Sequence, residues 1–145
     1  MPEPIVASTL MKFAYAWVLL AACVSLHSAG LIALSAWLVK AHDRASQRFW
    51  KRLWLLVRLA AAIILLHLLQ ILFWALFYVW KDCMPDLETS FYFSAVTYTT
   101  VGYGDLVLPM PWRNMAGIEA LTGILMAGLS TGFFFMALNR MFERE

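Results

Sequence analysis

The residues of this chain best placed to do chemistry are six in a row, Thr100-Val101-Gly102-Tyr103-Gly104-Asp105. Their chemistry is that of the backbone. Gly102 and Gly104 adopt φ > 0 without steric cost, so a stretch built on them can turn its carbonyls to one side and its side chains to the other. The carbonyl oxygens of Thr100, Val101, Gly102 and Tyr103, with the Thr100 hydroxyl, then stand in a row. Where four such stretches meet on an axis, the rows become stacked oxygen rings that replace the hydration shell of a passing cation. Each chain carries one stretch, so the rings require several chains. Gly104 and Asp105 support the stretch. Elsewhere the three histidines (His27, His42, His67) are scattered, with no Ser/His/Asp set and no His/Asp/Glu cluster of metal-ligand spacing. The chain reads as no enzyme, with no catalytic or cofactor-binding residue.

Non-helical backbone at membrane depth is tolerated only where protein buries it or it lines a water-filled cavity. The surroundings must therefore supply membrane-spanning helices. The composition permits them: 63% of the 145 residues are hydrophobic and the mean hydropathy is +0.73, against roughly 45–50% apolar residues in soluble domains. The length allows one domain. A net charge of only +2 gives no case for a nucleic-acid partner, and no small-molecule substrate is expected. Cys23 and Cys83 are too few for a disulfide framework. Cys23 lies in an apolar run. Cys83 lies in a polar connection, where pairing with another subunit's cysteine is the alternative to a free thiol.

The elements that position the six residues follow from the pattern around them. An apolar run at 59–80 is long enough to span and forms the outer helix. Segment 81–113 carries Lys81 and Arg113 against Asp82, Asp86, Glu88 and Asp105, a local excess of acid that would raise the cation concentration at a pore mouth. Pro85-Asp86 starts a helix over 87–99, with Asp86 as N-cap and Glu88 in the first turn. It is too short to cross a bilayer, which makes it a re-entrant pore helix. It ends just before Thr100, so the negative end of its dipole favours a cation there. Tyr103 is expected to brace the loop by packing on Tyr92 and Phe93. Pro109 and Pro111 break the chain before an inner helix at 115–138. Trp80 and Trp112 bracket the segment and fit an outer aromatic belt.

An earlier apolar run, 13–39, is long enough to cross with tilt. Leu20-Ala21-Ala22-Cys23 looks like a lipoprotein cleavage box, but only Lys12 supplies a basic flank and the apolar run continues past it. His27, mid-membrane, is expected to hydrogen-bond a neighbouring helix, and so are His67 and Gln70, which share one face. Residues 40–58 hold Lys40, Arg44, Arg48, Lys51, Arg52 and Arg58 against Asp43 alone. The positive-inside rule makes this segment cytoplasmic. It is either a helix lying on the inner leaflet, with Phe49, Trp50 and Trp54 at the headgroups, or a plain topology signal. The N-terminus then lies outside, the loop 100–105 faces outward, and the tail 139–145 is cytoplasmic.

Ser94-Ala95-Val96-Thr97-Tyr98-Thr99-Thr100-Val101-Gly102-Tyr103-Gly104-Asp105 resembles the potassium channel pore-domain family, including its small prokaryotic members. The resemblance covers 59–138. It implies an all-α membrane protein: three transmembrane helices plus a re-entrant pore helix and selectivity-filter loop, assembled as a homotetramer in the bilayer. It implies K+ as the transported ion, coordinated by Thr100, Val101, Gly102 and Tyr103, in a multi-pass protein of the cell membrane, the inner membrane of a bacterium. Non-selective relatives vary the tyrosine of the motif, and Tyr103 is intact. The additional N-terminal span departs from the two-helix pattern. No sizeable C-terminal domain follows, so gating by a ligand on such a domain is not expected.

The family places a gating hinge near Gly123, with Gly128 as the alternative; close packing, with Gly128 and Gly132 as a small-xxx-small pair, is the competing role. Leu125, Gly128, Gly132 and Met136 share a face that would line the cavity, with 133–135 at its inner mouth. Glu119, under two turns into the inner helix, either modulates the filter through its protonation state or is a satisfied hydrogen-bonding group. The rival function is a non-conducting, modulatory membrane subunit that keeps a filter-like loop as scaffold.

Overall fold

The structure is a computed structural model and describes residues 3–42 and 49–142. Asp43, Arg44, Arg48, both chain ends and the linker between the first two helices lie outside the described residues. Among the described residues four α-helices follow one another: α1 (Glu3–His42), α2 (Phe49–Trp80), α3 (Leu87–Tyr98) and α4 (Arg113–Phe142), with a 3₁₀ turn at Met110–Trp112 leading into α4. The fold is all-α. Three stretches, Thr9–Lys40, Phe49–Trp80 and Met110–Arg140, are long and apolar enough to cross a membrane. At 1.5 Å per residue the 32 residues of α2 extend about 48 Å, beyond the ~30 Å of bilayer hydrocarbon.

Two expected boundaries move. The basic segment 40–58 is not one separate element: residues 49–58 are the first turns of α2, with Lys51, Arg52 and Arg58 on the helix itself. No Gly or Pro interrupts Phe49–Trp80, and Leu, Arg and Lys are good helix formers, so nothing stops the helix at the membrane boundary. Likewise α4 runs through Asn139 to Phe142, and the expected tail at 139–145 is in large part its last turn. The short helix ends at Tyr98, with Thr99 as its C-cap.

α1 packs on both α2 and α4, and α3 is wedged between α2 and α4. One apolar cluster lies beside α3 and includes Cys23, Ile71, Trp74, Tyr78, Phe93, Tyr98 and Met126. A second joins Leu38, Leu55, Leu59, Ile63, Phe133 and Ala137 at the far ends of the long helices. Phe133 is therefore held inside the chain at the far end of α4. Its position continues the buried stripe Met115, Glu119, Thr122, Met126, Ser130, Phe133 and Ala137, spaced three or four residues apart. The opposite face of α4, with Leu121, Ile124, Leu125, Leu129 and Met136, is exposed. Cys23 is buried in mid-helix, and both cysteines are free thiols.

Aromatic side chains fix the vertical register. Tyr15 of α1 stands 5.9 Å from both Phe77 and Trp80 and 6.4 Å from Trp112, ring centre to ring centre. The Lys81 ammonium lies 3.4 Å over Trp80 and 4.3 Å over Tyr15, a geometry in which the ring faces attract the charge. At the other end Arg58 lies 5.3 Å over Trp37. The start of α1 thus stands level with the end of α2 and the start of α4. The end of α1 stands level with the beginning of α2.

Candidate functional site

The loop 100–105 is positioned by a series of caps. α2 ends in a Schellman motif: the Cys83 amide bonds the Tyr78 carbonyl at 2.9 Å and the Asp82 amide bonds that of Val79 at 3.0 Å. The motif needs a left-handed residue at its centre, usually Gly, and Asp82 takes it with φ 51°. α3 then starts at Asp86, whose carboxylate accepts from the Thr89 amide at 2.8 Å and from the Thr89 hydroxyl at 3.0 Å. Both bonds favour the ionised form and hold this carboxyl below its usual range.

The buried face of α3 is polar, and every hydroxyl on it is used. Ser90 donates to the Ala75 carbonyl at 2.7 Å. Ser94 lies within hydrogen-bond distance of both the Ile71 carbonyl, at 3.0 Å, and the Glu119 carboxylate. The other Glu119 oxygen accepts from the Tyr78 hydroxyl at 2.7 Å. Glu119 is fully buried and ties α2, α3 and α4 together behind the loop. It does not touch residues 100–105 through any of these bonds.

Beyond Tyr98 the backbone leaves the helix. The Thr100 amide reaches Thr97 O at 2.9 Å and the Gly102 amide reaches Val96 O at 3.0 Å, so the loop hangs from the last turn of α3. Positive φ falls on every second residue: Thr100 at 62°, Gly102 at 50° and Gly104 at 78°. The two glycines take this conformation at no steric cost, but Thr100 is β-branched and rarely adopts it. The far end of the loop is tied by the Tyr92 hydroxyl, which donates to Asp105 Oδ2 at 2.7 Å and whose phenol is pushed up in pKa by that bond. This corrects the expected brace. Tyr92 holds Asp105, Phe93 is buried against Tyr78 with ring centres 5.4 Å apart, and Tyr103 is 72% exposed. Arg113 Nε donates to the Leu108 carbonyl at 3.3 Å and secures the return to α4. Open hollows of about 510 and 490 Å³ flank the loop, one towards His67, Tyr98 and Gly123, the other towards Phe93, Arg113 and Ala116.

Residues 60–140, more than half of the chain, match a family described as ion channel. The chain belongs to this ion channel family. Comparison with curated proteins and with solved structures gave no match. The family assignment covers α2, the capped short helix, the loop and most of α4, and leaves α1 outside it.

Two further features of this channel bear on the loop. Gly123 lies against the Tyr98 carbonyl: a Cβ there would overlap the carbonyl oxygen and stand 2.8 Å from its carbon. Glycine is what lets α4 approach the end of α3. Gly128 and Gly132 meet nothing within 4 Å in the chain. Sequence reasoning also missed the company that His27, His67 and Gln70 keep. These three bond each other only in part, and Tyr98 and Ser130 complete their connections. No local signal joins them, since the five residues come from four helices.

Proposed function

We propose that this ion channel is selective for potassium and conducts K+ passively through a pore made by four copies of the chain around one axis. The observation that carries the reading is the alternation of φ along Thr100-Val101-Gly102-Tyr103-Gly104 at the end of a capped short helix. Alternation in the sign of φ turns successive peptide planes so that their oxygens fall on one side. The carbonyls of Thr100, Val101, Gly102 and Tyr103 and the Thr100 hydroxyl are then the ligands of K+, and the bonds at Val96 and Asp105 hold both ends of the row.

Assembly as a homotetramer is supported by surface that one chain leaves unpartnered. Val101 and Tyr103 are exposed, as is the apolar face of α4. With four loops on the axis, that α4 face lines the cavity below and Tyr103 packs on a neighbouring subunit. The orientation follows from charge: Lys40, Lys51, Arg52 and Arg58 lie towards the end of the bundle opposite the loop, and basic residues mark the cytoplasmic side. The N-terminus is then outside, the C-terminus is cytoplasmic, and the acidic residues of 81–113 surround the outer mouth in the cell membrane.

The test is the reversal potential of purified protein in planar bilayers under a K+/Na+ gradient. K+-selective current that Gly102→Ala abolishes is expected. Equal Na+ and K+ currents would overturn the selectivity. Absence of any current from the protein alone would favour a non-conducting, modulatory subunit.

A further inference from the structure

Five polar side chains beneath the loop form a closed ring: His27 of α1, Gln70 and His67 of α2, Tyr98 of α3 and Ser130 of α4. The Tyr98 hydroxyl donates to Gln70 Oε1 at 2.7 Å. Gln70 Nε2 stands 2.7 Å from His27 Nδ1. His27 Nε2 and His67 Nε2 each stand 3.0 Å from Ser130 Oγ, and His67 Nδ1 stands 3.1 Å from the Tyr98 oxygen. Of the five, His67 alone is half-buried; the rest are buried.

The proton positions follow by elimination. An amide nitrogen has only protons to offer, so Gln70 donates and His27 Nδ1 accepts. A neutral imidazole with one nitrogen accepting carries its proton on the other, so His27 Nε2 donates to Ser130. Tyr98 has spent its proton on Gln70, so its oxygen accepts from His67 Nδ1. His67 Nε2 is then an acceptor, and the Ser130 hydroxyl, already accepting from His27, gives it a proton. Each member donates once and accepts once, all in one direction around the ring. The ring is complete only with both imidazoles neutral, one on each tautomer.

We propose that this ring is a positioning device for the ion-binding loop, and that α1, which lies outside the family match, acts on the loop through His27. The inference rests on the channel reading given above. Its physical content is that Tyr98 is fixed twice. The ring holds its hydroxyl, and Gly123 abuts its carbonyl. The loop hangs from the same turn, through Thr97 and Val96. Removing any member orphans two partners, both of them buried in the case of His27, and they must then seek other bonds. A satisfied network of this kind resists displacement more than separate bonds would. Gly30, one turn beyond His27, is covered by Leu66 of α2, whose two terminal carbons stand 2.6 Å from where a Cβ would be.

The experiment compares K+/Na+ permeability ratios from reversal potentials for the full chain and for His27→Ala, Tyr98→Phe, the double variant and His27→Gln. The ratio is independent of how much protein inserts. We expect each of the first two to lower it by roughly tenfold, the scale of one net hydrogen bond's worth of positioning. The double variant should lower it no further than either single change, because the ring is already open. His27→Gln keeps one donor and one acceptor and should recover most of the ratio. An unchanged ratio in His27→Ala, or additive losses in the double variant, would overturn the proposal. Wild-type protein that carries no K+ current would instead count against the channel reading. The ring is then decided by ¹⁵N shifts of the imidazoles in nanodisc-embedded protein. A proton on His27 Nε2 and on His67 Nδ1 supports it, together with a shift at Thr100 on His27→Ala. The opposite tautomers, or no shift at Thr100, overturn it.

Discussion

The Tyr92 hydroxyl donates to the Asp105 carboxylate at 2.7 Å, so the far end of the loop 100–105 is tied to the helix that launches its near end. Tyr92→Phe removes only this bond. The loop keeps its attachments at Thr97 and Val96 and loses its outer one. If the loop is the K+ filter proposed above, the expected outcome is a current that starts with normal K+ preference and decays at least several-fold faster than wild type when external K+ is low. Single-channel recording checks it. Identical decay would mean that the bond has no part in holding the conducting conformation.

Gly123 and Gly128 are expected to separate on substitution by alanine. Gly123→Ala drives a methyl group into the Tyr98 carbonyl, and overpacking of this kind costs about 1–3 kcal/mol. Gly128 has open space around it within the chain, and alanine there gains up to about 1 kcal/mol of helix propensity. Thermal unfolding of the detergent-solubilised protein should fall for Gly123→Ala and hold or rise for Gly128→Ala. A change in open probability confined to Gly128→Ala would assign the hinge to position 128.

What sequence made legible and what it did not divide along one line. The Asp86 cap, the short helix after it and the positive φ at Gly102 and Gly104 were all readable because each is set by residues within a few positions. Positive φ at Thr100 was not, since threonine is the wrong residue by local preference and the conformation is imposed by bonds to both sides. The start of α2 was misplaced for a related reason: basic residues mark the membrane boundary, but they do not end a helix. The polar ring was out of reach because its members lie between His27 and Ser130, and their pairing exists only once four helices pack. Tyr103 was expected to pack on the short helix's aromatics Tyr92 and Phe93, whereas within the chain it is exposed.

Asp86 makes α3 sensitive to acid. Its folded pKa lies below the usual carboxylate value of 3.8 because the Thr89 amide and hydroxyl favour the ionised form. A depressed pKa contributes stability that is fully present above the unfolded value and is lost as pH falls through the folded one. Asp86→Ala should therefore lower the melting temperature at neutral pH, and the gap from wild type should close below pH 3.8. A gap that persisted undiminished in strong acid would show that the carboxylate charge is not what caps the helix.

Asp82 is a non-glycine residue in the left-handed centre of the α2 C-cap, with φ 51°. A side chain in that conformation costs about 1–2 kcal/mol, less for Asp than for most. Asp82→Gly should preserve folding and raise the melting temperature modestly, offset by the greater freedom of glycine in the unfolded chain. Asp82→Val, β-branched at the same position, should lower it. Equal melting temperatures for the two variants would mean that the Schellman bonds at Tyr78 and Val79 tolerate any residue between them.

Glu119 ties α2, α3 and α4 together, and its two oxygens have separate partners. Tyr78 donates to one and Ser94 to the other. Glu119→Ala leaves the Tyr78 hydroxyl buried without an acceptor, at about 1–3 kcal/mol, whereas Ser94 keeps the Ile71 carbonyl at 3.0 Å, and it opens a void where the buried carboxylate stood. Glu119→Gln keeps the volume and one acceptor, and turns an amide N–H₂ towards a hydroxyl that must reverse its own proton. The structure therefore orders the variants: wild type most stable, then Glu119→Gln, then Glu119→Ala, as measured by chemical or thermal unfolding in detergent. Tyr78→Phe combined with Glu119→Ala should lose less than the sum of the two single changes, because the second removes a partner the first no longer needs. Strict additivity would mean that Tyr78 and Glu119 are held by their surroundings independently, and that the bond between them contributes nothing to the packing of α3.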